Sequence, residues 1–128
     1  MDEAKLRRKL AIAERFDVID VEGEVAGFVV AYGPEAPYWS PNFEWFKDRY
    51  GDLVYLDRIA IDPAFRRRGI ASAVYDELEA LAAPHGRMAL EAVDDNDPSL
   101  AFHAGRGYVE VGRFTCIGHD NVMMVKEL

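Results

Sequence analysis

The chain carries a single cysteine, Cys116, in 128 residues, so no disulfide can close within it. Histidine is equally scarce: His85, His103 and His119 lie far apart and show no spacing for a shared metal ion. No apolar run is long enough to cross a bilayer and no secretory leader opens the chain, which points to a cytoplasmic protein without a membrane partner. Positive charge is also short, since 15 Lys and Arg face 23 Asp and Glu and leave a formal net charge of −8. That balance argues against nucleic acid as a general partner and favours cationic ligands such as amines, although solubility or salt adaptation is the plainer explanation. Repeats, linkers and low-complexity tracts are missing too.

What remains is half hydrophobic and fits one domain over residues 1 to 128, long enough to bury a core without staples. Residues 2 to 15 read as a short helix, with Leu6, Leu10 and Ala13 on one face and Lys5, Arg7, Arg8 and Lys9 around it. Residues 16 to 21 and 25 to 32 read as a hairpin turning at Gly23. A long loop with Pro34, Pro37 and Pro41 leads to a short helix at residues 43 to 50. An apolar strand at 53 to 61 then runs into a helix marked by Ile70, Val74, Leu78, Leu81 and Ala82 and stopped by Pro84 and Gly86. A strand at 87 to 93, a helix at 98 to 105 and a closing antiparallel pair at 108 to 115 and 121 to 126 complete a mixed α/β sheet.

The segment Asp62-Pro63-Ala64-Phe65-Arg66-Arg67-Arg68-Gly69-Ile70-Ala71 joins that apolar strand to its helix. Gly69 and Ala71 let backbone come close to a ligand, and free N–H groups at a helix start attract anionic oxygen. Three arginines beside those amides oppose the helix dipole, which an anionic ligand such as phosphate would resolve. The pattern Arg66-x-x-Gly69-x-Ala71 resembles the acyl-CoA loop of the GNAT N-acetyltransferase superfamily. Residues 96 to 108, Asn96-Asp97-Pro98 through Gly105-Arg106-Gly107-Tyr108, resemble that superfamily's later strand end, helix and Gly-Phe/Tyr turn. Tyr38-Trp39-Ser40-Pro41-Asn42-Phe43-Glu44-Trp45-Phe46 and Leu56-Asp57-Arg58-Ile59 are similar to a bacterial branch of it. The likeness spans roughly residues 16 to 128 and implies an N-terminally shortened GNAT fold, without the usual first strand and helix. A bare sheet edge there would favour a homodimer.

The resemblance implies direct transfer of an acetyl group from acetyl-CoA to a primary amine of a small molecule, with no metal. Arg66, Arg67, Arg68, Gly69, Ile70 and Ala71 would hold the pyrophosphate; the backbone of Ile59, Ala60 and Ile61 would pair with the pantetheine arm, with Asn96, Ser99 and Phe102 beside it. Asp57 and Arg58 interrupt an apolar strand, and alternation sends them to opposite faces, so each needs its own partner or an aqueous cleft. Asp57 is a candidate base, directly or through water, and Glu91 competes for that role by the same polar-in-apolar argument. Arg58 would hold either a substrate carboxylate or a structural acid. His103 stands where the superfamily frequently has a tyrosine that protonates the departing thiolate; it would donate as an imidazolium, or merely pack or cap. Tyr38, Asn42 and Trp45, with Trp39 and Phe46, would wall the acceptor site or simply cover the sheet. A non-catalytic acyl-CoA-binding sensor or assembly module is the alternative to an enzyme.

Overall fold

The alternating and helical apolar patterns resolve into one sheet covered on both faces by helices. The computed structural model describes residues 5–6, 15–66, 68–116 and 118–128, with side chains from residue 18 onward. The strands are β1 (Lys5–Leu6), β2 (Arg15–Val21), β3 (Glu24–Tyr32), β4 (Val54–Ile61), β5 (Arg87–Val93), β6 (Val109–Cys116) and β7 (His119–Glu127). The α-helices are α1 (Pro41–Tyr50), α2 (Ile70–Ala82) and α3 (Asp97–Gly105). Sheet order is β1-β2-β3-β4-β5-β7-β6, and among the described residues only the central β4–β5 contact is parallel.

Local chemistry explains most boundaries. Glu22 (φ 52°) and Gly23 (φ 85°) both sit in the left-handed region, which matches the twist of a two-residue hairpin between β2 and β3. Ser40 caps α1 by accepting from the Phe43 amide at 3.2 Å, Pro41 starts the helix, and Gly51 ends it at φ 79°. Along α2, Ile70, Val74, Leu78 and Ala82 are buried at helical spacing. Leu81, expected on that stripe, instead lies 48% exposed, because Ala82 is the residue that follows Leu78 by a full turn.

Two cores result. On the face covered by α2 and α3, Val29, Leu56, Val74, Leu78, Met88 and Leu90 pack together. On the opposite face α1 drives Phe43 and Phe46 against Leu53, Tyr55, Ala89 and Met123. The expected helix over residues 2 to 15 is corrected where it can be seen: Lys5 and Leu6 form a strand paired with Asp20 and Ile19, and Arg15 opens β2. The remainder of that stretch lies outside the described residues. Backbone pairing with β2 overrides a helical side-chain pattern at Lys5 and Leu6, since edge N–H and C=O groups gain ladder partners there.

Two irregularities position the site. The β4–β5 ladder holds only at Val54–Met88 and Tyr55–Ala89, after which the strands part. In addition, β3 pairs Val30 with Arg58 and Ala31 with Leu56, leaving Asp57 as the extra residue of a bulge. The bulge resets side-chain parity: Leu56 and Ile59, three apart, both pack into the α2-side core. Arg58 therefore projects to the face of Tyr55, which corrects the expectation from simple alternation that Asp57 and Arg58 part to opposite faces.

Candidate active site

Where β4 turns into α2, the chain forms a groove of about 530 Å³ lined by Ile59, Ala60, Ile61, Phe65, Arg66, Gly69, Ile70, Ala71, Ser72 and Phe102. Asp62 fixes its entry by accepting from the Ala64 amide at 2.9 Å. Gly69 stands before the first turn of α2 at φ 76°, and no side chain caps that turn. A Cβ at Gly69 would meet nothing within 4 Å, so the backbone there faces open space. Uncapped amides beside that opening suit an anion, and the residues present therefore fit a CoA pyrophosphate. Arg66 is tied back to the Ile61 carbonyl at 3.2 Å, while Arg68 lies over the Phe65 ring at 5.1 Å. Arg67 lies outside the described residues.

The parting of β4 from β5 opens a second cleft, of about 460 Å³, that shares Ile59 with this groove. Its lining includes Asp57, Arg58, Ile59, Tyr75, Glu91, Asn96, Ser99 and His103. Glu91 projects from β5 toward the α1 face, where Tyr55 donates to its Oε1 at 2.7 Å and the Asn42 side chain also favours its charged form. Burial pushes the Glu91 carboxyl up to about 7, Tyr55 and Asn42 oppose that rise, and the Asp57 charge reinforces it. Asp57 is half-buried and also raised, chiefly by burial, against the opposing effects of Arg58, Tyr38 and Tyr55. The Tyr38 hydroxyl reaches Asp57 Oδ1 at 3.4 Å and its ring stacks on Tyr32 at 3.8 Å. Asn42 Oδ1 is buried with no hydrogen-bond partner.

On the α2 face, His103 is buried and both ring nitrogens are occupied. Nδ1 stands 2.7 Å from the Ser99 carbonyl oxygen, which only accepts, so Nδ1 carries the proton. Nε2 then accepts from the Tyr75 hydroxyl at 2.7 Å. Burial holds the imidazole below its ordinary pKa, the Ser99 carbonyl opposes that, and the Arg106 charge adds to it. His103 is thus arranged as a neutral acceptor for Tyr75, which corrects the expectation of an imidazolium proton donor. Asn96 caps α3, accepting from the Ser99 amide at 3.3 Å.

The structure brings Tyr38, Asn42, Asp57, Arg58 and Glu91 to one side of the parted strands, with the groove residues and His103 on the other. It does not bring Trp45 there. The Trp45 ring packs over Gly112 of β6, where a Cβ would stand 2.7 Å from it, three strands beyond β4 in sheet order. Trp39 is 66% exposed and donates to Glu44. Sequence reasoning missed Tyr55 and Tyr75. Tyr55 was findable, since it precedes Asp57 by two on a strand; Tyr75 was masked by its place on an apolar helix face.

An anion cradle at a helix start lies beside a parted parallel strand pair, with a raised carboxyl beyond it. The chain belongs to the acetyltransferase (GNAT) family, whose model matches residues 2–108. It is 34% identical over 90 residues to an L-2,4-diaminobutyric acid acetyltransferase of Nocardia farcinica, a match covering 68% of this chain. The match covers only 39% of that curated relative's length. Among solved structures, an acetyltransferase aligns at TM-score 0.67 and 26% identity over 88% of this chain and 69% of its own. A GNAT acetyltransferase of Elizabethkingia anophelis with acetyl-CoA bound aligns at TM-score 0.65 and 13% identity, covering 90% and 76% of the two chains. The second likeness speaks for fold alone. Among the described residues no metal-ligating cluster forms, and no helix is long and apolar enough to cross a membrane.

Proposed function

We propose that the protein is an N-acetyltransferase that moves an acetyl group from acetyl-CoA to a primary amine of a small molecule by direct transfer. One observation carries the reading: the parted β4 and β5 connect a groove suited to CoA with Glu91, a carboxyl near neutrality whose surroundings leave it able to take a proton. The α2 amides, Arg66 and Arg68 would hold the pyrophosphate, and the free edge of β4 at Ile59, Ala60 and Ile61 would align the pantetheine arm. Glu91, steadied by Tyr55 and Asn42, would receive the ammonium proton directly or through water, freeing the nitrogen lone pair to attack the carbonyl. As the nitrogen–carbonyl bond forms, the thioester C–S bond would break and CoA would leave as a thiolate, which would take up the second nitrogen proton through water. Asp57, close to Glu91 and likewise raised, would hold the incoming ammonium by charge and then discourage both carboxyls from staying ionised once the amine is neutral.

Thiol release from acetyl-CoA that depends on an added amine, with 2,4-diaminobutyrate first among those tried, tests the reading. Gly69→Glu places bulk and charge in the cradle at a left-handed residue and should abolish acetyl-CoA binding in a calorimetric titration. Saturable binding that never leads to turnover with any amine would favour a sensor instead, a reading kept in view by the neutral His103. A homodimer belongs to the same proposal: Val109 and Val111 on β6, the last strand in sheet order, are exposed, and light scattering of the purified protein tests it.

A further inference from the structure

Arg58 is the unexplained charge of the cleft. The bulge at Asp57 turns it to the face of Tyr55, and it lines the same cavity as Asp57 and Glu91. Among the described residues its guanidinium makes no ion pair or hydrogen bond; it acts on Asp57 only through space. Arg49 and Arg66 bond backbone carbonyls and Arg68 lies over a ring, and three further described arginines have carboxylate partners. Arg87 bonds Glu127, Arg106 bonds Asp76 and Glu79, and Arg113 bonds Glu110. In a chain with 23 acidic residues, an arginine left without a bonded carboxylate at the mouth of a cleft is poorly explained as a structural ion pair. The guanidinium fork matches a carboxylate in two parallel hydrogen bonds, a geometry that a lysine does not reproduce. A doubly charged phosphate would be repelled by nearby Asp57 and Glu91 more strongly than a singly charged carboxylate.

We propose that Arg58 binds a carboxylate carried by the acceptor itself, so that the acceptor is an amino-acid-type molecule with its reacting amine directed at Glu91. The proposal rests on the acetyl-transfer reading and narrows its substrate class. Arg58 sets which amines bind, and Glu91 acts on the proton. A molecule of this kind spans the cleft from the exposed guanidinium to the buried carboxyl, and the unpartnered Asn42 Oδ1 beside Glu91 offers a further acceptor for its N–H groups.

Matched pairs of amines test this, each an amino acid against its decarboxylated counterpart: 2,4-diaminobutyrate with 1,3-diaminopropane, ornithine with putrescine, lysine with cadaverine. Amine-dependent thiol release should show kcat/KM about tenfold or more higher for the carboxylated member of a pair that turns over, a margin in the range of one charge-assisted contact. Arg58→Gln should bring that ratio close to one by raising KM for the carboxylated amine, and Arg58→Lys should restore part of it. A ratio near one or inverted in the parent protein, or a ratio that Arg58→Gln leaves intact, overturns the proposal while leaving acetyl transfer standing. If no amine supports thiol release, acetyl transfer to these acceptors fails, and calorimetry on CoA-saturated protein decides the carboxylate site separately. Binding of the amino acids that Arg58→Gln removes supports the site; no binding, or binding that survives the substitution, overturns it.

Discussion

Two glutamates sit inside this protein at opposite ends of the argument. Glu79, on α2, is 9% exposed and receives hydrogen bonds from Arg106 at 3.1 and 3.3 Å, from Lys126 at 2.8 Å and from Tyr108 at 2.9 Å. Burial alone would raise its pKa, and those partners more than reverse the effect, so it stays ionised. Glu91, on β5, has a phenol and an amide as neighbours, a second carboxylate nearby and, among the described residues, no cation bonded to it. Its pKa rises to about 7. The difference separates structure from chemistry: a carboxylate neutralised by two cations is fixed in one charge state, whereas one held by neutral donors can exchange a proton near neutral pH.

The sharpest way to break the comparison is to remove each charge in turn. Glu91→Gln should lower kcat by about 100-fold or more, the range expected for losing a general base, while thermal unfolding shows an intact fold. If turnover persists near the parent rate, Asp57 or water is the base. Glu79→Ala should instead cost about 2 kcal/mol of stability, because it leaves Lys126 and the buried Tyr108 hydroxyl without their partner while Arg106 keeps Asp76, and denaturant melts would record it. Amine-dependent turnover by the folded fraction of that variant should change far less.

The pH dependence of the two should run in opposite directions. A carboxyl whose folded pKa is raised binds its proton more tightly when folded, so its contribution to stability is full below the unfolded value near 4.5 and is lost as pH rises toward 7. For Glu91 the loss is on the order of 3 kcal/mol, and Glu91→Gln should remove it, leaving the variant more stable than the parent protein at pH 8. Glu79 has a lowered pKa, so its contribution is present above the unfolded value and fades as pH falls through the folded one. Activity should rise about tenfold per unit below pH 7 and level off above it as Glu91 ionises. A rate profile whose rising limb moves on His103→Gln would place the titrating group at the imidazole instead.

Much of this was legible in the residues because local rules and tertiary packing agree. The strand ending at Ile61, the helix from Ile70 and the loop between them follow from an apolar run, a proline, a glycine and helical spacing. Glu91 and Asp57 were visible as charges in apolar strands, yet nothing in their spacing told which would be raised to neutrality; that depends on Tyr55, Asn42 and a parted ladder. The bulge at Asp57 was invisible for a related reason, since parity along β4 is set by its pairing with β3 rather than by its own residues. For His103 the residues alone left proton donation and simple packing both open, and the carbonyl of Ser99 one helical turn earlier, with Tyr75 across the core, makes it a buried acceptor. The Glu79 network joins residues 27 and 47 positions apart, beyond any sequence spacing rule.

The finest division runs along α1 itself. Asn42 in its first turn turns toward Glu91, whereas Trp45, less than one turn later, lies against Gly112 at the far side of the sheet. Asn42→Ala should therefore raise the acceptor KM several-fold and raise the pKa seen in the rate profile a little, since it removes one of two neutral groups that favour ionised Glu91 while Tyr55 remains. Trp45→Leu should leave the acceptor KM within twofold of the parent value and cost about 1 kcal/mol in a denaturant melt, because a half-buried ring is exchanged for a smaller apolar side chain over a glycine that cannot fill the space. An acceptor KM that moves as much with Trp45→Leu as with Asn42→Ala would mean that the acceptor extends across the whole of α1, and the aromatic wall expected from sequence would regain Trp45.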